Sequence, residues 1–449
     1  MVRILVIAFA ICLANGVKAQ VWLEKTRIDT HTVASRLEIP WDIEKWSSDT
    51  IIFTERTGAI KRLSLLSGEI DTLYQEPADL AAEGQAGLMG LQLHPEFPAQ
   101  PYLFVSLAYY DGAKIKVRVD RLGYVKNGDS LALVNTIVEN IPAANANLGG
   151  RLFIDGDNHL LLSVGDIKDN GLPQDELSLN GKILRMNLDG SIPADNPDPT
   201  SLVYSMGHRN PQGITEDGKG HTYISEHGAS SDDELNLLVA GANYGWPLVT
   251  GFCTEGTQEI CDSLDVHEPL ETWSPTIAPA GVAYFNEATI PEWENSILMC
   301  SLKEQRLRVV SLTSDGQNVE SSSWILAGVF GRLRDVLVMG NRIYICTSNR
   351  DDLGTPTPHD DRIIELIPST HNLVESIAGG DITYSVMNKS LKIDLPRAQR
   401  ITIYSLSGNM VFNNPSQPGT PISLSHCPAG VYILVAEEAE IKPIKLLLY

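Results

Sequence analysis

Positive charge is scarce in this sequence. Its 34 Lys and Arg face 56 Asp and Glu, a formal net charge of −22 over 449 residues. Nucleic acid and anionic membrane surfaces both need a basic face, so the composition argues against either as partner. Cysteine is scarce too, with six residues and none in a Cys/His spacing that would hold zinc. Long helical periodicity and a βαβ rhythm are absent, which argues against helical and doubly wound architectures. There is no long low-complexity tract, and 43% hydrophobic with 20% charged residues is the composition of a folded protein. The 36 glycines and 25 prolines imply frequent turns rather than disorder. No apolar run reaches the roughly 20 residues that a spanning helix needs.

What is present begins with a leader. Arg3, the apolar run Ile4 to Leu13 and the small-residue site Val17-Lys18-Ala19 read as a Sec secretion signal over residues 1–19, cut before Gln20. An exported protein meets an oxidising compartment. Cys253 and Cys261, eight apart in one loop, are then expected to close a disulfide. Cys12 leaves with the signal. Cys300 and Cys346 lie on strand-like runs and read equally as a second bridge or as buried thiols, and Cys427 is left unpaired.

From Val21 to about Leu366 the chain is a succession of short apolar strands and turns. Thr50-Ile51-Ile52-Phe53, Pro101 to Val105 and Ile343 to Cys346 are examples. Leu152-Phe153-Ile154 and Leu160-Leu161-Leu162 flank a hairpin turn at Asp155 to Asn158. Many short strands over about 350 residues favour an all-β propeller over a single sandwich, although periodicity alone does not give the blade count. Composition shifts after Leu366. The division expected is a main domain over 20–368, a linker over 369–383 and a compact β-sandwich module over 384–449. In that tail Ile403 to Gly408, Pro428 to Ile433 and the basic-apolar end from Lys442 resemble the C-terminal sorting domain of the type IX secretion system, which implies the secretion machinery as a partner. An adhesive or carbohydrate-binding sandwich is the alternative.

Four segments carry more polar chemistry than a scaffold needs. They are Glu83 to Gly90 with His94, Asn147 to Arg151 with Asp166, Gly207 to Gly213 with Ser225 to Asn236 and Asn243 to Pro247, and Ser301-Leu302-Lys303 with Gly331 to Asp335. Each taken singly also reads as a tight turn whose polar groups satisfy buried carbonyls. In this order, between Ile39-Pro40-Trp41-Asp42 and Arg362 to Glu365, they resemble the glucose/sorbosone dehydrogenases. These are six-bladed propellers that oxidise aldoses with pyrroloquinoline quinone (PQQ) and calcium. Asn180 to Asn187 and Asp189 to Pro197 look like the aldose-dehydrogenase branch.

The resemblance assigns roles by position. Lys303, Arg332 and Arg334 stand where the family binds the cofactor carboxylates, a task suited to fixed cations. Arg209 stands where the reacting carbonyl is polarised, Asn210 where the cofactor is hydrogen-bonded, and Gln85 at the sugar end. Trp273 and Thr276 fall near quinone-contact positions. Calcium would be held by the carbonyls of Gly228 and Ala229, and a second calcium by Glu234 and the carbonyl of Tyr244. That second set lacks an acidic partner, since Thr254 stands at its position. At the catalytic base the family has histidine and this chain has Asn147, fixed in register by Gly149-Gly150-Arg151. An amide is no base near neutral pH, and loss of a general base costs about 10²–10⁴-fold. His227 is a candidate substitute. The activity implied is oxidation of an aldose to its lactone, with electrons passing on to an external acceptor. The alternatives are a catalytically impaired propeller that binds PQQ, a glycan or a protein partner at the cell surface, and a calcium-dependent propeller hydrolase.

Overall fold

The computed structural model describes residues 20–75, 77–370, 383–387, 390–394, 398–405, 409–417, 420–424, 426–427, 430–436 and 444–448. The leader, linker residues 371–382 and turn residues 406–408 and 428–429 lie outside them. Contacts divide the chain into two units, one formed mainly by Ile28–Pro368 and the other mainly by Ser369–Tyr449.

Strand-forming runs separated by turn residues make the first unit a series of antiparallel sheets. Five are four-stranded meanders. They start at Pro40–Ser47, Leu88–Leu93, Gly149–Ile154, Pro211–Glu216 and Pro279–Phe285. The sixth starts at Leu333–Met339, continues through Arg342–Thr347 and Arg362–Thr370, and is completed by Thr26–Ser35 and Gln20–Trp22 from the start of the chain. The expected hairpin is present, with Ile154 opposite Leu160 in the ladder. The first strand of each sheet touches the first strand of the next, and the sixth touches the first, so these six strands form a closed ring.

Burial falls from the ring outward. Pro211–Glu216 is buried over all but its last residue, whereas Val319–Ile325, at the outer edge of the fifth sheet, is exposed over most of its length. Apolar side chains fill the space between neighbouring sheets. Ile43, Phe53, Tyr344 and Ile363 form one such layer, and Tyr223, Leu235, Met299 and Val310 form another. Each large apolar side chain buried there contributes about 1.5–3 kcal/mol of transfer free energy. Neighbouring ring strands approach closely at Gly281, where a Cβ would collide with the Asp335 carboxylate.

Cys253 and Cys261 are disulfide-bonded, the latter on the helix Gln258–Leu264, while Cys300 and Cys346 are buried free thiols and Cys427 is buried. Among the described residues no helix is long and apolar enough to cross a membrane. In the second unit a three-stranded sheet (Thr383–Met387, Ser390–Asp394, Ile422–Ser423) and a four-stranded one (Gln399–Ser405, Met410–Ser416, Gly430–Ala436, Ile444–Leu448) share a core of Leu391, Ile393, Ile401, Ile403 and Leu434.

Candidate active site

The ring has a cavity of about 660 Å³ at the end where its strands begin. Trp41, Leu148, Gly149, Gln212, Ala278, Arg332 and Arg334 line it, and each lies at or just before the start of a ring strand. Deeper in, Arg151 closes the axis. Its Nη1 lies 2.8 Å from Asp42, its Nη2 lies 3.2 Å from Asp335, and its guanidinium stacks on Trp41 with 4.5 Å to the ring centroid. Below this plug a second cavity of about 280 Å³ is lined by Asp42, Glu44, Gln92 and Asp335 among others.

The upper cavity is electropositive. Arg56, Lys168, Lys303, Arg332 and Arg334 line it against two carboxylates, Asp351 and Asp352. Arg332 is ion-paired, with Nη2 2.9 Å from Asp351. Among the described residues Arg334 has no carboxylate within ion-pair distance. Its Nη1 donates to Gln212 Oε1 at 3.0 Å, its Nε is buried without a partner, and burial holds it down to about 10. Lys303 Nζ donates to Thr276 Oγ1 at 2.5 Å. Arg56 donates to the Gly84 carbonyl, and Lys168 Nζ has no hydrogen-bond or ion-pair partner among the described residues. Lys168 and Lys303 are exposed, whereas Arg334 is buried, and a buried cation without a counter-ion is costly unless an anion joins it.

Asn147 sits beside this cavity with φ +52°, a left-handed conformation that asparagine tolerates. Its N–H donates to Gln85 Oε1 at 2.9 Å, and its Nδ2 donates to Asp166 Oδ1 at 2.9 Å. Asp166 also accepts from Trp246 Nε1 at 2.9 Å and from the Lys168 N–H at 2.8 Å. The carboxylate that would orient a basic side chain is therefore present, with an amide in front of it.

His227 does not make good the loss. Its Nε2 lies 2.7 Å from the Pro279 carbonyl, which can only accept, so the proton is on Nε2. Nδ1 faces the Asn210 amide at 3.4 Å, and burial followed by the charge of Arg334 pushes the imidazole down to about 3. It is a neutral wall residue whose lone pair is already faced by a donor. Asn210 in turn accepts from the Gly149 N–H at 3.1 Å, tying the Asn147 turn to the fourth sheet.

Arg209 lies over Trp246, with Nη1 donating to the carbonyls of Gly228 at 2.6 Å and His227 at 3.2 Å. Its backbone N–H donates to Glu226, which also holds His208 Nδ1 at 2.8 Å, while His208 Nε2 lies 2.8 Å from Ser205 Oγ. This Ser–His–Glu chain resembles a hydrolytic triad. Ser205 and His208 are only 1% and 0% exposed, so the hydroxyl meets no substrate and the chain acts as bracing for Arg209.

The other expected positions divide. Gly228 and Ala229 follow the end of the strand Thr222–Glu226, and Ala229 is exposed. Glu234 accepts from Asn236 Nδ2 at 3.0 Å and from the Gly251 N–H at 2.9 Å; burial, then Glu226, pushes it up to about 8. Tyr244 is buried against His208 at 4.5 Å. Thr276 reaches the cavity through Lys303. Trp273, expected near the quinone, instead packs with Leu235, Ile277 and Met299 in the layer between the fourth and fifth sheets and does not line the cavity. Among the described residues no three His, Cys, Asp or Glu side chains converge as a metal site.

Arg56, Lys168, Asp351 and Asp352 are wall residues that motif reading did not single out. Lys168 has no visible signal because its turn is made by non-glycine residues, Ile167 at φ +50° and Lys168 at +65°.

An all-β ring with an electropositive cavity at its strand starts fits the class of quinone-dependent sugar oxidoreductases, although Arg209 and Asn210 are not among the residues that line that cavity. A family model described as Glucose / Sorbosone dehydrogenase matches residues 37–353, and the chain belongs to that family. It is 28% identical over 436 residues to the quinoprotein glucose dehydrogenase B of Acinetobacter calcoaceticus, covering 77% of this chain and 90% of that one. It is 29% identical over 346 residues to an aldose sugar dehydrogenase of Escherichia coli, covering 73% and 90%. The PQQ-bound aldose sugar dehydrogenase of Streptomyces coelicolor superposes with a TM-score of 0.69 at 32% identity, covering 77% of this chain and 99% of that one.

Proposed function

We propose that this chain is a six-bladed β-propeller that binds PQQ with calcium and oxidises an aldose at its anomeric carbon to the lactone. The observation that carries the cofactor assignment is the set of cavity cations without counter-ions, Arg334 with its orphaned Nε above all. A planar ligand with three carboxylates fits them, and Lys303, Arg332 and Arg334 would hold it, with Asn210 and Thr276 beside them. When bound, PQQ supplies an acceptor for two electrons that no protein side chain provides. Arg209, fixed through Glu226 and two carbonyls, would offer a preorganised cation where negative charge develops. Gly228 and Ala229 would offer calcium their carbonyls, and Glu234 and Tyr244 a second ion; hard oxygen donors suit that cation. The buried Glu234, crowded by Glu226, supports a cation there.

The weak link is proton removal. Asn147 cannot accept the proton of the anomeric hydroxyl, and His227 is held neutral with its lone pair facing a donor. A second reading follows from this, in which the propeller binds PQQ and a sugar with little turnover. The test is to reconstitute the purified protein with PQQ and calcium, then follow dye reduction with a panel of aldoses in the wild type and Asn147→His. Measurable wild-type reduction supports the enzyme reading. Cofactor uptake with reduction only in Asn147→His supports the binding reading, and no uptake overturns both.

The proposal extends to the ends of the chain. Residues 1–19 serve as an export signal and residues 384–449 as a small β-sandwich sorting domain, joined by a linker over 369–383. The mature protein then works outside the cell or at its surface and passes electrons to an external acceptor.

A further inference from the structure

The cofactor reading uses Lys303, Arg332 and Arg334, which leaves two cavity cations unexplained. Arg56 and Lys168 both stand at the Asn147 end of the cavity. Arg56 is tied to the Gly84 carbonyl, next to Gln85, whose side chain holds the Asn147 N–H. Lys168 is tied through its own N–H to Asp166, which holds the Asn147 amide. Among the described residues neither side chain has a carboxylate within ion-pair distance.

Placing Lys168 there requires backbone strain. Ile167 and Lys168 are consecutive left-handed residues, and a β-branched residue in that region is an outlier that persists only where its surroundings impose it. The Asn147 carbonyl accepts from the Ile167 N–H at 3.1 Å, and Asp166 accepts from the Lys168 N–H at 2.8 Å, so the turn is pinned on both sides. A turn of glycine and asparagine would cost less if the lysine had no role. Burial also disfavours the charge on Arg56, a penalty that Asp352, Asp351 and Asp361 offset in part from beyond ion-pair distance. Free cations at the sugar end of a pocket in a chain of net charge −22 run against the overall composition.

We infer that the sugar taken by this cavity is anionic, its carboxylate or ester oxyanion held between Arg56 and Lys168. This rests on the proposal that PQQ occupies the remaining cations. A neutral hexose would give neither the half-buried Arg56 nor the exposed Lys168 a charged partner. A uronate, or a phosphorylated or sulfated aldose, gives each a charge-assisted hydrogen bond.

The test is calorimetric titration of the protein, with and without PQQ and calcium, using glucuronate, glucose 6-phosphate and glucose. At least one anionic sugar is expected to bind about ten- to a hundred-fold tighter than glucose. Lys168→Met and Arg56→Met should each remove most of that preference, lowering affinity for the anionic sugar far more than for glucose, with PQQ absorbance unchanged. The preference should also shrink as salt rises. Comparing glucuronate with glucose 6-phosphate identifies which anion is meant. Equal affinity for glucose and both anionic sugars overturns the inference. So does a Lys168→Met variant that loses PQQ uptake, because the lysine then belongs to the cofactor. Failure of PQQ uptake in the wild type overturns the cofactor proposal instead, and charge preference is still read on the cofactor-free protein.

Discussion

Replacing Arg334 by methionine separates a ligand-binding cation from a structural one. Arg334 is 9% exposed, has no carboxylate partner and is held down to about 10 by burial. That depression from the ordinary arginine value corresponds to about 3 kcal/mol of disfavour for the charged form. Against it stand one hydrogen bond to Gln212, worth about 1 kcal/mol, and a cation–π contact to Trp41 at 5.6 Å, worth about 1 kcal/mol. Methionine fills similar space without the charge. The cofactor-free variant is therefore expected to melt within a few degrees of the wild type or above it. PQQ affinity should fall by roughly a hundred-fold or more, since a desolvated carboxylate loses its partner. Thermal melts and an absorbance titration read both quantities on one sample. A variant that loses many degrees of stability and still binds PQQ as well as the wild type would refute the reasoning.

Asn147→His suits the left-handed backbone, which histidine also tolerates, and places an imidazole against Asp166. Dye reduction by the reconstituted variant should exceed the wild type by about 10²–10⁴-fold, read in the initial rate. Lys182 is buried and donates to three carbonyls, those of Leu172, Pro173 and Asn180, each at 2.9 Å. Lys182→Met strands these acceptors and should cost about 2–4 kcal/mol in denaturant unfolding. Glu44, beside the lower cavity, is pushed up to about 8 by burial and then by Asp335. Above the ordinary glutamate value the folded chain therefore holds a proton that the unfolded chain has lost. Stability should fall as pH rises from about 5 to 8, and melting curves of Glu44→Gln should show a smaller loss over that window.

Much of this architecture is legible in residue pattern, and the reason is local. Alternating apolar runs such as Leu160-Leu161-Leu162, bounded by Asp155 to Asn158, specify a hairpin without reference to the rest of the chain. Closure of the ring is not local. It depends on Leu333–Met339 meeting Pro40–Ser47 and on Thr26–Ser35 completing the last sheet, contacts separated by about 300 residues. At the site, Asn147 could be placed because Gly149-Gly150-Arg151 anchors its register, and Arg151 is itself locked to Asp42 and Asp335. Trp273 ends the outermost strand of its sheet, where side-chain direction is set by packing against the fifth sheet, and residue pattern does not show that direction. Lys168 was missed because Ile167 and Lys168 make a left-handed turn without glycine, asparagine or proline to announce it.

The central claim is that the cavity cations Lys303, Arg332 and Arg334 form a cofactor site. Equilibrium titration of the cofactor-free protein with PQQ in the presence of calcium, followed by quinone absorbance, tests it most directly. The account predicts saturation at one equivalent with micromolar or tighter affinity, weakened roughly a hundred-fold or more in Arg334→Met and retained in Asn147→His. No uptake at micromolar PQQ, or an affinity that Arg334→Met leaves unchanged, would contradict it.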